Sequence, residues 1–355
     1  MKQPTRPIFL TILLLFAAAL TLAACRTSVP LPAPTFTALP PSVDLYFTHA
    51  CTPAQQPDAP APLDALVQAV NAAQEQVDMA IYNLSYPPLV DALIAAHERG
   101  VLVRLVVENE NRSRSGPAAL QDAGISVRAD SPDGLMHNKF AVIDAADVWT
   151  GSMNFTANSN DEDANHLIHF HSTQLAQIFT AEFEEMFTQN RFGANSPRGD
   201  EMQGFIFDGV QVEVLFAPDD QPEERVIELI GSARQSVEML AYSFTSDPIG
   251  NALLSKARDG VRVRVVQDAE QVTGTGSEYK YLSDSGLDIR LDACDGLMHH
   301  KVIILDGNTV VIGSYNFTKS ANTRNDETLL VIRAPHLAAA FQQEFEALYA
   351  AAVTH

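Results

Sequence analysis

"GLMHNKFAVID" (residues 134–144) and "GLMHHKVIILD" (296–306) are almost the same eleven residues, written twice in one chain. His and Lys keep the same spacing both times. The likeness spreads outward in order. "VDMAIYNL" (77–84) matches "VEMLAYSF" (237–244), and "RGVLVRLVV" (99–107) matches "DGVRVRVVQ" (259–267). "DAGISVR" (122–128) matches "DSGLDIR" (284–290), and "GSMNFT" (151–156) matches "GSYNFT" (313–318). A repeat unit this long is a domain rather than a solenoid turn. The 355 residues suit two domains of about 150 each.

Each half alternates strand and helix patterns. "VDLYF" (43–47) and "VEVLF" (212–216) read as first strands, and the β-branched runs at 77–84 and 101–107 as inner ones. Residues 63–74, 88–100 and 224–235 carry apolar side chains at helical spacing; 173–189 and 335–352 read as closing amphipathic helices. Such alternation predicts α/β layers around a central sheet. The expected domains are 43–190 and 212–355, joined by a linker over 191–211.

The chemistry sits in the repeated motif. Along a strand, side chains alternate faces. His137 and Lys139 therefore stand side by side while Asp144 points away; His299, Lys301 and Asp306 repeat the pattern. Gly151, Ser152 and Asn154 follow in one half, and Gly313, Ser314 and Asn316 in the other. Lysine, serine and asparagine donate hydrogen bonds suited to phosphoryl oxygens. One half alone has a single imidazole, so acid–base work needs both halves around one site.

Both copies resemble the phospholipase D superfamily signature, H-x-K-x4-D-x6-G-S-x-x-N, over about residues 43–333. The resemblance implies two tandem phospholipase D-like α/β/α sandwich domains related by a pseudo-twofold axis, with one shared active site. It implies transfer through phosphohistidine, with no metal and no cofactor. One His attacks phosphorus; the other protonates the leaving alcohol and then activates water. Lys139, Lys301, Asn154 and Asn316 would hold the phosphoryl oxygens. In this family a carboxylate downstream of one motif orients the His of the other half. Glu327 fills that position and would orient His137 as nucleophile. The equivalent residue is Asn165, which would face His299, the acid–base; Glu162 stands nearby as a substitute. Asp144, Ser152, Asp306 and Ser314 are expected to support the site, with His300 on the reverse face, either packed or facing solvent.

Lys2 and Arg6 precede the apolar run "IFLTILLLFAAALTLAA", which ends at Cys25. This reads as a lipoprotein signal over 1–24 with lipidation at Cys25, then a Pro/Thr-rich tether over 25–42. The expectation is an exported protein held by its lipid on the outer face of the cytoplasmic membrane or in the periplasm. Cys51 and Cys294, the other two cysteines, are expected to pair.

The formal charge of −21 is a poor background for gripping a long phosphate backbone. The expected partners are a phospholipid or other phosphodiester substrate and the membrane, with nucleic acid disfavoured, in a monomer that is an internal pseudo-dimer. Phospholipid headgroup hydrolysis is the leading reading. The alternatives are a nuclease of the same superfamily, a phosphatidyl transferase, and a noncatalytic phosphate-binding lipoprotein. His169 and His171 in "HLIHFH" (166–171) share a strand face but lack the carboxylates or cysteines of a metal set. "TGTGSEY" (273–279) reads as a rim above the site. Its basic counterpart "NRSRSGP" (111–117) reads as a contact for headgroups or phosphates.

Overall fold

The structure is a computed structural model that describes residues 1, 39–40, 42–48, 51, 61–130, 133–196 and 203–354. The signal, Cys25 and most of the tether lie outside the described residues.

The first half runs β1 (Val43–Phe47), α1 (Pro62–Ala72), β2 (Gln76–Ile81), α2 (Pro87–Glu98), β3 (Leu102–Val107), α3 (Ser115–Asp122) and β4 (Ser126–Ala129). It continues with β5 (Lys139–Ile143), β6 (Asp147–Gly151), α4 (Ala157–Asp161), β7 (His166–His171) and α5 (Thr173–Phe187). Its seven strands lie in the order β1-β7-β6-β5-β2-β3-β4. Strands β2, β3 and β4 are parallel, and β5, β6, β7 and β1 run antiparallel.

The second half opens with β8 (Gln203–Phe207), β9 (Val210–Ala217), α6 (Pro222–Ser232), β10 (Ser236–Ala241), α7 (Asp247–Arg258), β11 (Arg262–Gln267), α8 (Tyr279–Asp284) and β12 (Asp288–Leu291). Then come β13 (Lys301–Leu305), β14 (Thr309–Gly313), α9 (Lys319–Thr323), β15 (Glu327–Arg333) and α10 (Pro335–Ala351). The strand order β12-β11-β10-β13-β14-β15-β9-β8 copies the first sheet and adds β8 at its edge. Strand β8 falls inside the span expected to be linker, where it forms a hairpin with β9.

The inner strands are buried on both faces, hence their unbroken apolar runs. In β5, Ala141 and Ile143 pack toward α1 and α2; Phe140 and Val142 enter a second core shared by both halves. Helices α5 and α10 fill that shared core. Phe179 of α5 meets Phe216 of β9 with centroids 5.4 Å apart, and Phe341 of α10 meets Phe47 of β1 at 5.1 Å. The closing helices therefore form the interface: each half keeps an outer core of its own, and a further core is shared between them. The sulfurs of Cys51 and Cys294 are bonded, their Cα atoms 4.7 Å apart, and tie one half to the other.

Two motif positions explain themselves through the fold. Asp144 turns away from the site, as its strand register requires. Its carboxylate accepts the amides of Gln74, Glu75 and Gln76 at 2.8–2.9 Å. Asp306 does the same for Arg234, Gln235 and Ser236. Each aspartate fastens the helix-to-strand turn before the central strand. Gly134 and Gly296 open the two motifs for a different reason. A Cβ on Gly134 would lie 2.0 Å from the carbonyl oxygen of Arg324, and on Gly296 2.1 Å from that of Glu162. Only glycine lets the other half's backbone pass so close.

Candidate active site

Each histidine is mounted where the two halves meet backbone to backbone. The amide of His137 donates to the Asp326 carbonyl at 2.9 Å, and that of Asp326 to Leu135 at 2.9 Å. The amide of His299 donates to Ala164 at 2.9 Å, and that of Ala164 to Leu297 at 2.7 Å. Residues 136 and 298 are repeat equivalents, as are 164 and 326. The contact is thus made twice in opposite directions, the mark of a pseudo-twofold axis.

The ring partners also cross over. Glu327 Oε2 lies 2.7 Å from His137 Nδ1. Asn165 Oδ1 lies 2.9 Å from His299 Nδ1. Each partner is fixed in turn. Ser314 Oγ donates to Glu327 at 2.6 Å and Ser152 Oγ to Asn165 at 2.9 Å. Each hydroxyl also accepts a backbone amide, from Thr328 and His166 respectively. The two serines therefore hold the orienting residues, and their protons are committed away from a substrate. Asn165 Nδ2 donates to the Ser159 carbonyl at 3.2 Å, which fixes Oδ1 toward the imidazole. Both histidines then carry their neutral-form proton on Nδ1 and leave Nε2 bare. Glu162 is exposed and takes no part in this arrangement.

The lysines follow at once. Lys139 Nζ donates to the His137 carbonyl at 2.6 Å, and Lys301 Nζ to the His299 carbonyl at 2.7 Å. Tyr82 and Tyr242 wall these groups. Lys139 Nζ is 5.3 Å from the Tyr82 ring centre and Lys301 Nζ 4.5 Å from that of Tyr242. The tyrosine rings meet His137 and His299 edge-on at 5.1 and 4.6 Å. Asn154 and Asn316 sit on the turns that follow β6 and β14. Neither side chain makes a hydrogen bond among the described residues, and both Oδ1 atoms are buried. These turns read Gly-Ser-x-Asn, so each Asn stands one position nearer its Ser than in the signature as spelled above.

A family profile described as "Cardiolipin synthase, PLD-like domain" matches residues 66–187 and again 226–349. The chain belongs to the phospholipase D superfamily. It is 35% identical over 125 residues to the mitochondrial cardiolipin hydrolase of Chlamydomonas reinhardtii, covering 35% of this chain and 56% of that one. It is 32% identical over 134 residues to a phospholipase D of Rickettsia prowazekii, covering 38% and 65%. The chain thus spans less than two thirds of either relative. The crystal structure of a phosphatidylserine synthase of Haemophilus influenzae superposes with a TM-score of 0.65 over 87% of each chain, at 12% identity, a likeness of fold alone.

Electrostatics separates the two histidines of this phospholipase D-like site. Burial lowers the pKa of His137, and the Glu327 carboxylate pulls it back up. His299 is driven well below the ordinary imidazole value, by burial first and then by Lys301, Lys139 and His137. Burial lowers Lys139 to about 7, against the pull of Glu327. Lys301 is also held well below the ordinary amine value, by burial and then by Lys139. Four basic groups within one another's field favour an anion between them, which would restore charge to each.

Sequence reasoning missed Tyr82 and Tyr242, although the repeat places them at equivalent positions. It also missed a carboxylate pair behind each motif. Glu108 Oε2 and Asp130 Oδ2 accept the Met136 amide at 2.8 and 3.3 Å, and Asp268 Oδ2 accepts that of Met298 at 2.9 Å. Burial, with Asp130 beside it, pushes Glu108 up to about 7. Burial, with Asp292 beside it, pushes Asp268 up to about 6. His300 is fully buried rather than facing solvent. His169 contacts Asp44 and Asp147 at 3.0 and 2.7 Å, and His171 contacts Asp147 at 2.8 Å. Residues 273–276 are exposed, and Gln271 just before them donates to the Tyr242 hydroxyl at 3.2 Å. Arg112 and Arg114 are exposed, and the charge of Arg114 reaches Tyr82.

Proposed function

We propose that the chain is a phosphodiesterase that hydrolyses phospholipid headgroup esters, with His137 as nucleophile and His299 as acid–base. The observation that carries this reading is the unequal pairing: a carboxylate behind His137 and a neutral amide behind His299. Glu327 stabilises the positive charge that forms on His137 as its Nε2 bonds to phosphorus. The phosphorus–oxygen bond to the headgroup alcohol breaks, and that oxygen takes a proton from His299 Nε2. His299 is then neutral and removes a proton from water. The hydroxide displaces His137 from phosphorus, leaving phosphatidate and the free alcohol. Lys139, Lys301, Asn154 and Asn316 hold the non-bridging oxygens. Burial first, and then the repulsion of the neighbouring basic groups, keep His299 neutral; the phosphodiester anion offsets both, so substrate itself loads the acid.

The charge of −21 and the lipoprotein-like N-terminus support lipid over nucleic acid, and the same N-terminus supports a location at an outward membrane face. The test is direct. Purified protein is given phosphatidylcholine vesicles and, separately, single- and double-stranded DNA, each with chelator. Choline release that disappears in His137→Ala is the expected result. DNA cleavage without lipid turnover would establish the nuclease instead. A labelled alcohol appearing on the lipid would establish transfer. No turnover from folded protein would leave a phosphate-binding module.

A further inference from the structure

Behind the cleft, the two halves are joined a second time. On the His137 side the joint is ordinary: Thr328 Oγ1 donates to Asn138 Oδ1 at 2.7 Å. The repeat equivalents of Thr328 and Asn138 are His166 and His300. Their Nδ1 atoms lie 3.1 Å apart, and their rings are stacked within 2° at 5.3 Å. Both residues are fully buried. Phe47 of β1 and Phe341 of α10 pack against them, and the charged and titratable neighbours are Lys301 and His299, on either side of His300 in the chain, and Glu344 of α10. Glu344 Oε1 stands 3.5 Å from His300 Nε2, and neither atom has a hydrogen-bond partner among the described residues.

Two imidazole Nδ1 atoms at that distance can bond only if one carries a proton and the other does not. The tautomers that serve every atom best have His166 Nδ1–H donating to His300 Nδ1, with His300 Nε2–H toward Glu344. A proton added at the bare Nδ1 would set two N–H groups against each other, and one added at His166 Nε2 would be a buried donor with no acceptor among the described residues. His166 immediately follows Asn165, and His300 immediately follows His299. The pair is thus one bond along the chain from the acid–base histidine and from the residue that orients it.

We propose that His166 and His300 form a titratable latch between the halves that positions His299 and releases in acid, while the Asn138–Thr328 latch behind His137 holds at any pH. Its role in turnover rests on the function proposed above; the latch itself does not. Burial, reinforced by His300 and Lys301, holds His166 well below the ordinary imidazole value, so His166 resists protonation while the latch is closed. Once opened to water, His166 takes up a proton more readily. Opening therefore becomes easier as pH falls below ~6.5, by up to about tenfold per pH unit.

Hydrogen exchange on the intact protein tests this without reference to activity. Between pH 7.5 and 5, corrected for intrinsic exchange, protection of the His299 and Ala164 amides should fall at least tenfold. That of the His137 and Asp326 amides should not fall, because Glu108 behind Met136 takes up its proton in this range and favours the folded state. Equal loss at both pairs, or no loss at either, overturns the latch. The molecule also supplies its own replacement. The double variant His166→Thr, His300→Asn grafts in the pair that already works on the other side. It should keep His299 protected at pH 5 and move the acid limb of kcat to lower pH. A folded graft that still loses protection at His299 also overturns the proposal. If the enzyme proves inactive on every phosphodiester, the exchange result still decides whether the latch exists.

Discussion

Glu327, carried by the second half, lies 2.7 Å from His137 of the first, whereas the pseudo-symmetric partner of His299 is the uncharged Asn165. The repeat makes two equivalent imidazoles, and this single difference makes them unequal. Exchanging the partners, in the double variant Asn165→Glu, Glu327→Asn, should move the covalent phosphate. Rapid quenching and peptide mapping should find phosphohistidine at 137 in the parent and at 299 in the exchange. Glu327→Gln alone should lower kcat by about 10²–10⁴, the range seen when an imidazole loses its orienting carboxylate.

The aspartate of the repeated motif is part of the signature yet touches nothing in the cleft. Asp144→Asn should cost about 1–2 kcal/mol in chemical denaturation, since the amides of Gln74, Glu75 and Gln76 lose a charged acceptor. Burial alone would raise the Asp144 pKa, but the three amides together hold it below the usual carboxylate value. The stability it contributes is present above the unfolded carboxylate pKa near 4 and is lost as pH falls through the lower folded value. The kcat should be unchanged.

Gly134→Ala tests the interface. Its methyl group would fall 2.0 Å from the Arg324 carbonyl, a contact that backbone cannot relieve cheaply. The expected loss is about 3 kcal/mol or more, with kcat/KM falling because Asp326 can no longer hold His137. Alanine at Gly231, where an added Cβ meets nothing within 4 Å, serves as the control and should change little.

Glu108 gives the opposite pH dependence to Asp144. Its folded pKa, about 7, lies above the unfolded carboxylate value. The folded state therefore holds the extra proton between about pH 4.5 and 7, and stability falls as pH rises through that window. Glu108→Gln still offers an oxygen to the Met136 amide and removes the charge. At pH 8 the variant should be more stable than the parent by about 1–2 kcal/mol, with the gap closing toward pH 4. A gap that is constant with pH would mean that Glu108 titrates normally.

Much of this was legible because the chain repeats itself. Each half aligns with the other, and strand alternation then puts His137 beside Lys139 and turns Asp144 away. The shared site follows from one imidazole per half, while the crossing of Glu327 to His137 came from the family resemblance. What the residues could not show was the inner layer. The apolar faces of α5 and α10 look the same whether they cover one sheet or lie between two. Periodicity also does not distinguish β8 from a linker, because a five-residue edge strand carries little pattern. The serines read two ways in the sequence, as donors to phosphate and as support for the site. Their neighbours favour support, since Ser152 and Ser314 already bond Asn165 and Glu327. The carboxylates behind each motif carried no local pattern, since Glu108 and Asp130 are distant in sequence and meet only when β3 and β4 pair.

The Cys51–Cys294 bond gives the chain a second covalent route between its halves. A single cut in the chain between α5 and β8 would therefore leave two polypeptides still joined as one molecule. The halves should migrate separately on a denaturing gel only after reductant is added, and the nicked enzyme should keep its activity until then.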